Sequence, residues 1–167
     1  LGGILTYAVD AGIIERNPAH GIKKPKDNVR KRRLSEAEYR LLGVLLRKAA
    51  QNENYAMTVE IIRQITMTGC RRSEMIGLSW SEVDAQASCL RLEDSKEGYS
   101  IRPIGLPVVE YLEERAKSRI GTYVFPGRDE DRAFGSFPKH WKKIFTAFPL
   151  ADVTPHVLCH SFASIAN

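Results

Sequence analysis

With 167 residues, of which 43% are hydrophobic and 27% charged, the chain lies within the range of globular proteins and outside that of disordered ones. The length accommodates one domain plus a fragment of a second, and there is neither a signal peptide nor an apolar run long enough to cross a bilayer, so a soluble, cytoplasmic protein is expected. All of the net charge of +5 is carried by one segment, where Lys23, Lys24, Lys26, Arg30, Lys31, Arg32 and Arg33 face Asp27 alone.

Leu1 to Ile14 carries Ile4, Leu5, Ala8, Val9 and Ile13 at helical spacing and ends in the Asn17-Pro18 breaker, like the last helix of a preceding domain. The opening Leu1, in place of a Met, points to a piece of a longer protein. The basic run that follows contains Pro25 and has no apolar periodicity. It reads as an extended linker, from about residue 21 to 33, that either lies along a polyanion or is simply solvated. Ser35-Glu36-Ala37-Glu38 is then a capping box, with Leu34 and Tyr39 in the staple positions, and it starts a helix whose Leu42, Leu45, Leu46 and Ala49 face a core. A second helix carries Val59, Ile62, Ile65 and Thr66 and stops at Gly69. A third runs from Arg71 to Leu78.

Beyond Leu78 the period changes. Leu90 and Leu92 alternate with polar residues, as do Ile101 and the residues after it, and Asp94 to Gly98 lie between, which predicts a hairpin with Gly98 at its turn and a second strand reaching Leu106. Pro107 suits the first turn of a helix bearing Val108, Val109, Tyr111 and Leu112, closed by Gly121. Tyr123 to Pro126 adds either a strand or a packed loop. Ser136 to Phe148 forms a helix with Phe137, Trp141, Ile144, Phe145 and Phe148 inward, and a last helix starts at Thr154 as N-cap with Pro155 next and runs to Asn167. The expected fold is mainly α with one small antiparallel β-sheet (α+β).

Three groups of residues bear chemistry. At Thr68 to Leu78 a glycine ends one helix and Arg71 and Arg72 open the next, so guanidinium groups and free N–H groups lie together where an anion is welcome, with Glu74 placed to hold Arg71. Lys96 stands at the hairpin tip between Asp94 and Glu97. His156, Cys159 and His160 fall on one face of the last helix. Cys70, Cys89 and Cys159 are an odd number without paired spacing, so reduced thiols are expected, and no metal site: two histidines and a cysteine fall short of the four ligands of a structural zinc.

Taken in order, these segments resemble the catalytic domain of the tyrosine recombinases, or phage integrases. The pattern Thr-Gly-x-Arg-x-x-Glu-x-x-x-Leu fits Thr68 to Leu78, a hairpin lysine fits Lys96, and the His-x-x-Arg-His box fits His156 to His160 at every position but one. Residues 1–20 then look like the end of the core-binding helical domain, 21–33 like the interdomain linker, and 34–167 like the catalytic domain. The resemblance implies a prokaryotic or phage-derived, nucleoid-associated enzyme of DNA recombination and integration in mobile genetic elements. Such an enzyme cuts and rejoins double-stranded DNA through a 3′-phosphotyrosyl intermediate, without metal or cofactor, as a tetramer on DNA.

On that resemblance Arg71 stabilises the phosphoryl oxygens, Lys96 protonates the leaving 5′-oxygen and His156 assists proton transfer and hydrogen-bonds the phosphate. Glu74 supports Arg71, His160 supports helix packing, and Arg72 points elsewhere around its helix, about 100° from Arg71. The basic run contacts DNA. Two departures lead to an expectation of an inactive, monomeric fragment. Cys159 occupies the place of the second arginine, and the chain ends before the box that carries the nucleophilic tyrosine. A non-catalytic DNA-binding or regulatory relative is the alternative. Type IB topoisomerases share the fold and the active-site residue types, but the compact hairpin and the linker composition favour a recombinase.

Overall fold

The computed structural model describes residues 2–22, 32–95, 98–146 and 149–165, with the backbone alone for Asp94 and Ser95. Lys96, the linker residues Lys23, Lys24, Lys26, Arg30 and Lys31, and Phe148 lie outside the described residues. Two compact units separate between Lys31 and Arg32. Arg32 and Arg33 belong to the second unit.

In the first unit, α1 spans Gly2–Asp10 and is closed by a turn in which Gly12 takes a positive φ of 68°. Its apolar stripe is not buried within the unit, and Ile4 and Ile13 are exposed. Asn17 ends the segment as the sequence suggests: its carboxamide donates to Thr6 Oγ1 at 3.0 Å and accepts the Ala19 N–H at 2.9 Å.

The second unit is mainly helical. Helix α2 (Glu36–Ala49) starts at the predicted capping box, where the Ser35 hydroxyl accepts the Glu38 N–H and the Glu38 carboxylate accepts the Ser35 N–H at 2.8 Å. After a short turn at Glu53–Tyr55, α3 (Ala56–Thr68) runs through the centre of the unit and touches α2 and the later helices Leu106–Ala116, Phe137–Thr146 and Pro155–Ile165. A helix surrounded by others must be apolar on most sides, and Val59, Ile61, Ile62 and Ile65 are all fully buried. The polar residues it buries are Thr58, Gln64 and Thr68. Thr68 is satisfied locally: its hydroxyl donates to the Gln64 carbonyl at 2.7 Å and accepts the Cys70 N–H at 3.2 Å.

Helix α4 is only Arg72–Ile76, shorter than the sequence suggests, because Arg71 is its extended N-cap and Gly77 its C-cap. The sheet is three-stranded and antiparallel in the order β1 (Val83–Asp84), β2 (Cys89–Ser95), β3 (Gly98–Pro103). Gly98 turns the hairpin with φ at 88°, as predicted. The inward phase of β3 differs from the expected one. Ile101 pairs with Arg91 on the outer face and is 53% exposed, whereas Arg102 pairs with the buried Leu90 and faces inward. The strand also stops at Pro103 rather than Leu106, since a proline has no N–H to continue the ladder. The Ile104 N–H instead donates to the Ser88 carbonyl.

Helix α5 (Leu106–Ala116) follows with Val108, Val109 and Leu112 buried. Tyr123 to Pro126 is a packed loop held by isolated bridges, with Val124 and Phe125 in the core. Helix α6 (Phe137–Thr146) buries Phe137, Ile144 and Phe145 and stacks Trp141 on Phe145 at 3.9 Å. Helix α7 (Pro155–Ile165) begins as predicted, with Thr154 Oγ1 accepting the Val157 N–H at 3.3 Å.

Two contacts tie the start of this unit to its far end. Arg32 Nε donates to Asp152 Oδ2 at 2.7 Å and Arg32 Nη1 to Glu38 Oε2 at 3.0 Å, while the buried Leu34 N–H donates to Ser161 Oγ at 2.8 Å. The Arg32 guanidinium holds the Glu38 carboxyl at about 2, down from 4.5, and the Ser35 N–H adds to the effect. It also holds the Asp152 carboxyl below its ordinary value. Carboxyls depressed in the folded state contribute stability that is complete above the unfolded value near 4.5 and is lost as the pH falls towards 2. The Glu38→Gln variant should therefore melt lower than the wild type at pH 7 and lose less of its Tm between pH 5 and 2. Thermal scans across that range test this.

Candidate phosphate-binding site

The site begins with the way α3 ends. Gly69 takes a left-handed φ of 66° and donates its N–H to the Ile65 carbonyl. A Cβ at this position would stand 2.5 Å from Phe162 Cδ1 of α7, so only glycine allows that ring to approach so closely. The chain then leaves α3 through the buried Cys70 into Arg71, whose extended backbone (φ −65°, ψ 151°) opens α4.

The buried Glu74 carboxylate fixes Arg71 at two points. Oε2 accepts the Arg71 N–H at 2.7 Å, and Oε1 accepts Nη1 at 2.8 Å. The carboxylate is 3% exposed and the arginine side chain 31% exposed, so a buried carboxylate anchors a guanidinium that stays partly accessible.

Across from Arg71, α7 supplies His156 and Cys159. Arg71, Arg72, Ser73, Thr154, Pro155, His156 and Cys159 together line one cleft of about 260 Å³. The structure thus brings together three of the residues singled out from sequence, two as catalytic candidates and Cys159 as the departure from the pattern. No tyrosine lines the cleft among the described residues.

Cys159 donates its thiol proton to the Gly69 carbonyl. Burial, and after it the charge of Glu74, push this thiol above its ordinary range. It is therefore a neutral thiol at physiological pH and brings no positive charge to the cleft. Cys70, more deeply buried, is pushed up to about 11.

His160 differs from its expected role in packing. It is exposed, and its Nε2 lies 2.8 Å from His156 Nε2, with the rings nearly perpendicular. A hydrogen bond between two such nitrogens needs one donor and one acceptor, so each ring constrains the tautomer of the other.

Arg72, expected to point away from Arg71, lines the same cleft. The 100° rotation per residue holds between helical residues, and Arg71, as an extended N-cap, is not one of them. Arg32, expected on DNA, has its guanidinium in ion pairs with Glu38 and Asp152, whereas Arg33 is exposed.

A larger cleft of about 560 Å³ shares no residue with this one. It is bounded by Tyr55, Phe134 and His140 and rimmed by Arg128, Lys139 and Lys143. His140 Nδ1 sits 3.0 Å from Thr58 Oγ1, and burial, then the charges of Lys139 and Lys143, hold its ring below the ordinary histidine range. No group of three or more metal-ligating side chains occurs among the described residues. No helix among them is long and apolar enough to cross a membrane.

With the fold and this cleft in place, the comparisons with known proteins agree on the family. The chain belongs to the phage integrase family, whose model matches residues 32–166. Tyrosine recombinase XerC of Xylella fastidiosa (strain M23) is 27% identical over 167 residues, covering 97% of this chain and 56% of the relative. Prophage integrase IntF of Escherichia coli K12 is 34% identical over 70 residues, 42% of this chain and 15% of the relative. The chain thus spans little more than half of XerC and a small part of IntF.

Solved structures share the fold, two of them as follows. A Tn1549 transposon integrase in complex with transposon right end DNA superposes with a TM-score of 0.67 at 16% identity, covering 98% of this chain and 63% of that one. A lambda integrase dimer bound to a COC′ core site gives 0.64 at 18% identity, covering 98% and 62%. The mainly helical unit with its small sheet is therefore the tyrosine recombinase catalytic-domain fold.

Replacing Glu74 by Ala leaves the Arg71 N–H without its acceptor and the guanidinium without its anchor. The expected loss is about 1–3 kcal/mol of unfolding free energy, read from urea denaturation, since a part-buried donor loses its charged acceptor.

Proposed function

We propose that this chain provides the DNA phosphate-binding part of a site-specific recombinase or integrase, which cuts and rejoins double-stranded DNA through a 3′-phosphotyrosyl link. The observation that carries the reading is the cleft where Arg71, anchored by Glu74, faces His156 at the start of α7. Negative charge gathers on the two non-bridging oxygens of phosphorus as the tyrosine oxygen attacks. A guanidinium fork aimed at those oxygens stabilises the transition state more than the ground state. As the P–O5′ bond breaks, the leaving oxygen takes a proton from Lys96 acting as general acid. His156 hydrogen-bonds the phosphate and assists the proton transfer at the nucleophile.

Cys159 sets the rate. Loss of one charged contact to the transition state commonly costs about 10² to 10³ in rate, so cleavage by this chain is severely impaired. This favours, as a second reading, a non-catalytic relative that keeps the fold and the DNA binding. In either case DNA affinity comes from the basic run, Lys23, Lys24, Lys26, Arg30, Lys31 and Arg33, with Arg128, Lys139 and Lys143 adding cationic surface on the catalytic unit. Arg32 is held in its ion pairs and is left out of this set. The whole enzyme assembles as a tetramer on DNA, and this chain alone is monomeric.

Binding to duplex DNA, followed by fluorescence anisotropy, should weaken steeply between about 50 and 200 mM salt. Neutralising Lys23, Lys24, Arg30 and Lys31 should flatten the salt slope by roughly 0.9 for each phosphate that is no longer neutralised. An affinity independent of salt would remove the DNA reading. Expressed as its whole open reading frame, the Cys159→Arg protein should form a covalent adduct on a nicked suicide substrate, at least tenfold more than the wild type. Binding without any adduct from either protein would select the second reading.

A further inference from the structure

We propose that Arg72 is the second phosphate-binding cation of the cleft, filling the role that Cys159 cannot. This rests on the recombinase reading and deepens it, because it assigns to a residue outside the family pattern a contact with the DNA phosphate.

The charges lining the cleft lead to this assignment. Arg71 has part of its charge committed to the buried Glu74 carboxylate. His156 shares its Nε2 with His160. Cys159 is neutral, and its proton is held by the Gly69 carbonyl. Arg72 is exposed, lines the cleft and, among the described residues, makes no side-chain hydrogen bond or ion pair. It is the cation there whose five donors are all available to a ligand.

The backbone explains why two consecutive side chains face one cleft. The change from extended at Arg71 to helical at Arg72 removes the rotation that would separate them on a continuous helix. Neighbouring guanidinium groups can then grip different oxygens of one phosphodiester, each in bidentate geometry. The cleft, at about 260 Å³, is small for a drug-sized ligand and suits a phosphate group.

The assignment predicts that Arg72 matters most when residue 159 is not an arginine. Binding to a 20-base-pair duplex would be measured from 50 to 200 mM salt for the wild type, Arg72→Gln, Arg72→Lys and Cys159→Arg, and for Cys159→Arg combined with Arg72→Gln. Arg72→Gln should flatten the salt slope by about 0.9 at unchanged melting temperature. Arg72→Lys should keep the slope and bind several-fold more weakly. Arg72→Gln should cost at least threefold less affinity in the Cys159→Arg background than in the wild type.

A wild-type slope for Arg72→Gln, or equal losses in the two backgrounds, would overturn the proposal. Should Cys159→Arg not fold, the side-chain Nε–Hε resonance of Arg72 in the wild-type chain decides: it should shift on DNA addition together with that of Arg71. An Arg72 resonance that stays put while that of Arg71 moves overturns the proposal. Failure of the wild-type chain to bind DNA at any salt would instead remove the recombinase reading, and this proposal with it.

Discussion

The close approach of α7 to the end of α3, possible only because residue 69 has no side chain, is the contact on which the site depends. Gly69 takes a left-handed conformation that stops α3, and it leaves room for Phe162 to lie where a Cβ would stand. Its carbonyl receives the Cys159 thiol, and two residues later the chain presents Arg71. One residue thus determines where the central helix ends, how near the last helix comes, and which side chains meet between them. A larger residue would meet the Phe162 ring and move His156 and Cys159 away from Arg71 together.

The electrostatics of the cleft follow from what each charge is already doing. Glu74 sacrifices solvation to sit beneath Arg71, where it caps α4 and orients the guanidinium through separate oxygens. The same carboxylate also adds to the burial that keeps Cys159 protonated, so it favours a neutral thiol beside an anchored cation. Where a second arginine would carry a fixed positive charge into the cleft from α7, this chain has an uncharged group turned back towards α3. Positive potential is thereby displaced towards the α4 side, where Arg71 and Arg72 are consecutive.

Features set by neighbours in the chain were legible in the sequence. The Ser35 box, the Gly69 stop, the Gly98 turn and the Thr154 cap each depend on two to five residues, and each stands where the spacing puts it. The family pattern likewise pointed to Arg71, His156 and Cys159, which line one cleft, and to Glu74, which is hydrogen-bonded to Arg71. What depended on distant partners was not legible. Arg32 looks like one more cation of a linker because Asp152, its partner, is 120 residues away. The inward phase of β3 rests on its pairing with β2, which turns Arg102 inward and Ile101 outward against simple alternation by hydrophobicity. Arg72 escapes the sequence pattern for a local reason, since the extended backbone at residue 71 cancels the helical rotation assumed between neighbours.

The clasp formed by Arg32, Glu38, Asp152 and Ser161 has a mechanical consequence. Arg32 is the first residue of its unit, so tension along the preceding segment falls first on the guanidinium fork and on the hydrogen bond from Leu34 to Ser161. Glu38 lies in α2 and Ser161 in α7, so these bonds pass the load to both helices. Helix α7, which carries His156 and Cys159, is therefore gripped at Ser161 by the chain that enters the unit, and a pull on that tether is resisted there before the hydrophobic interior yields.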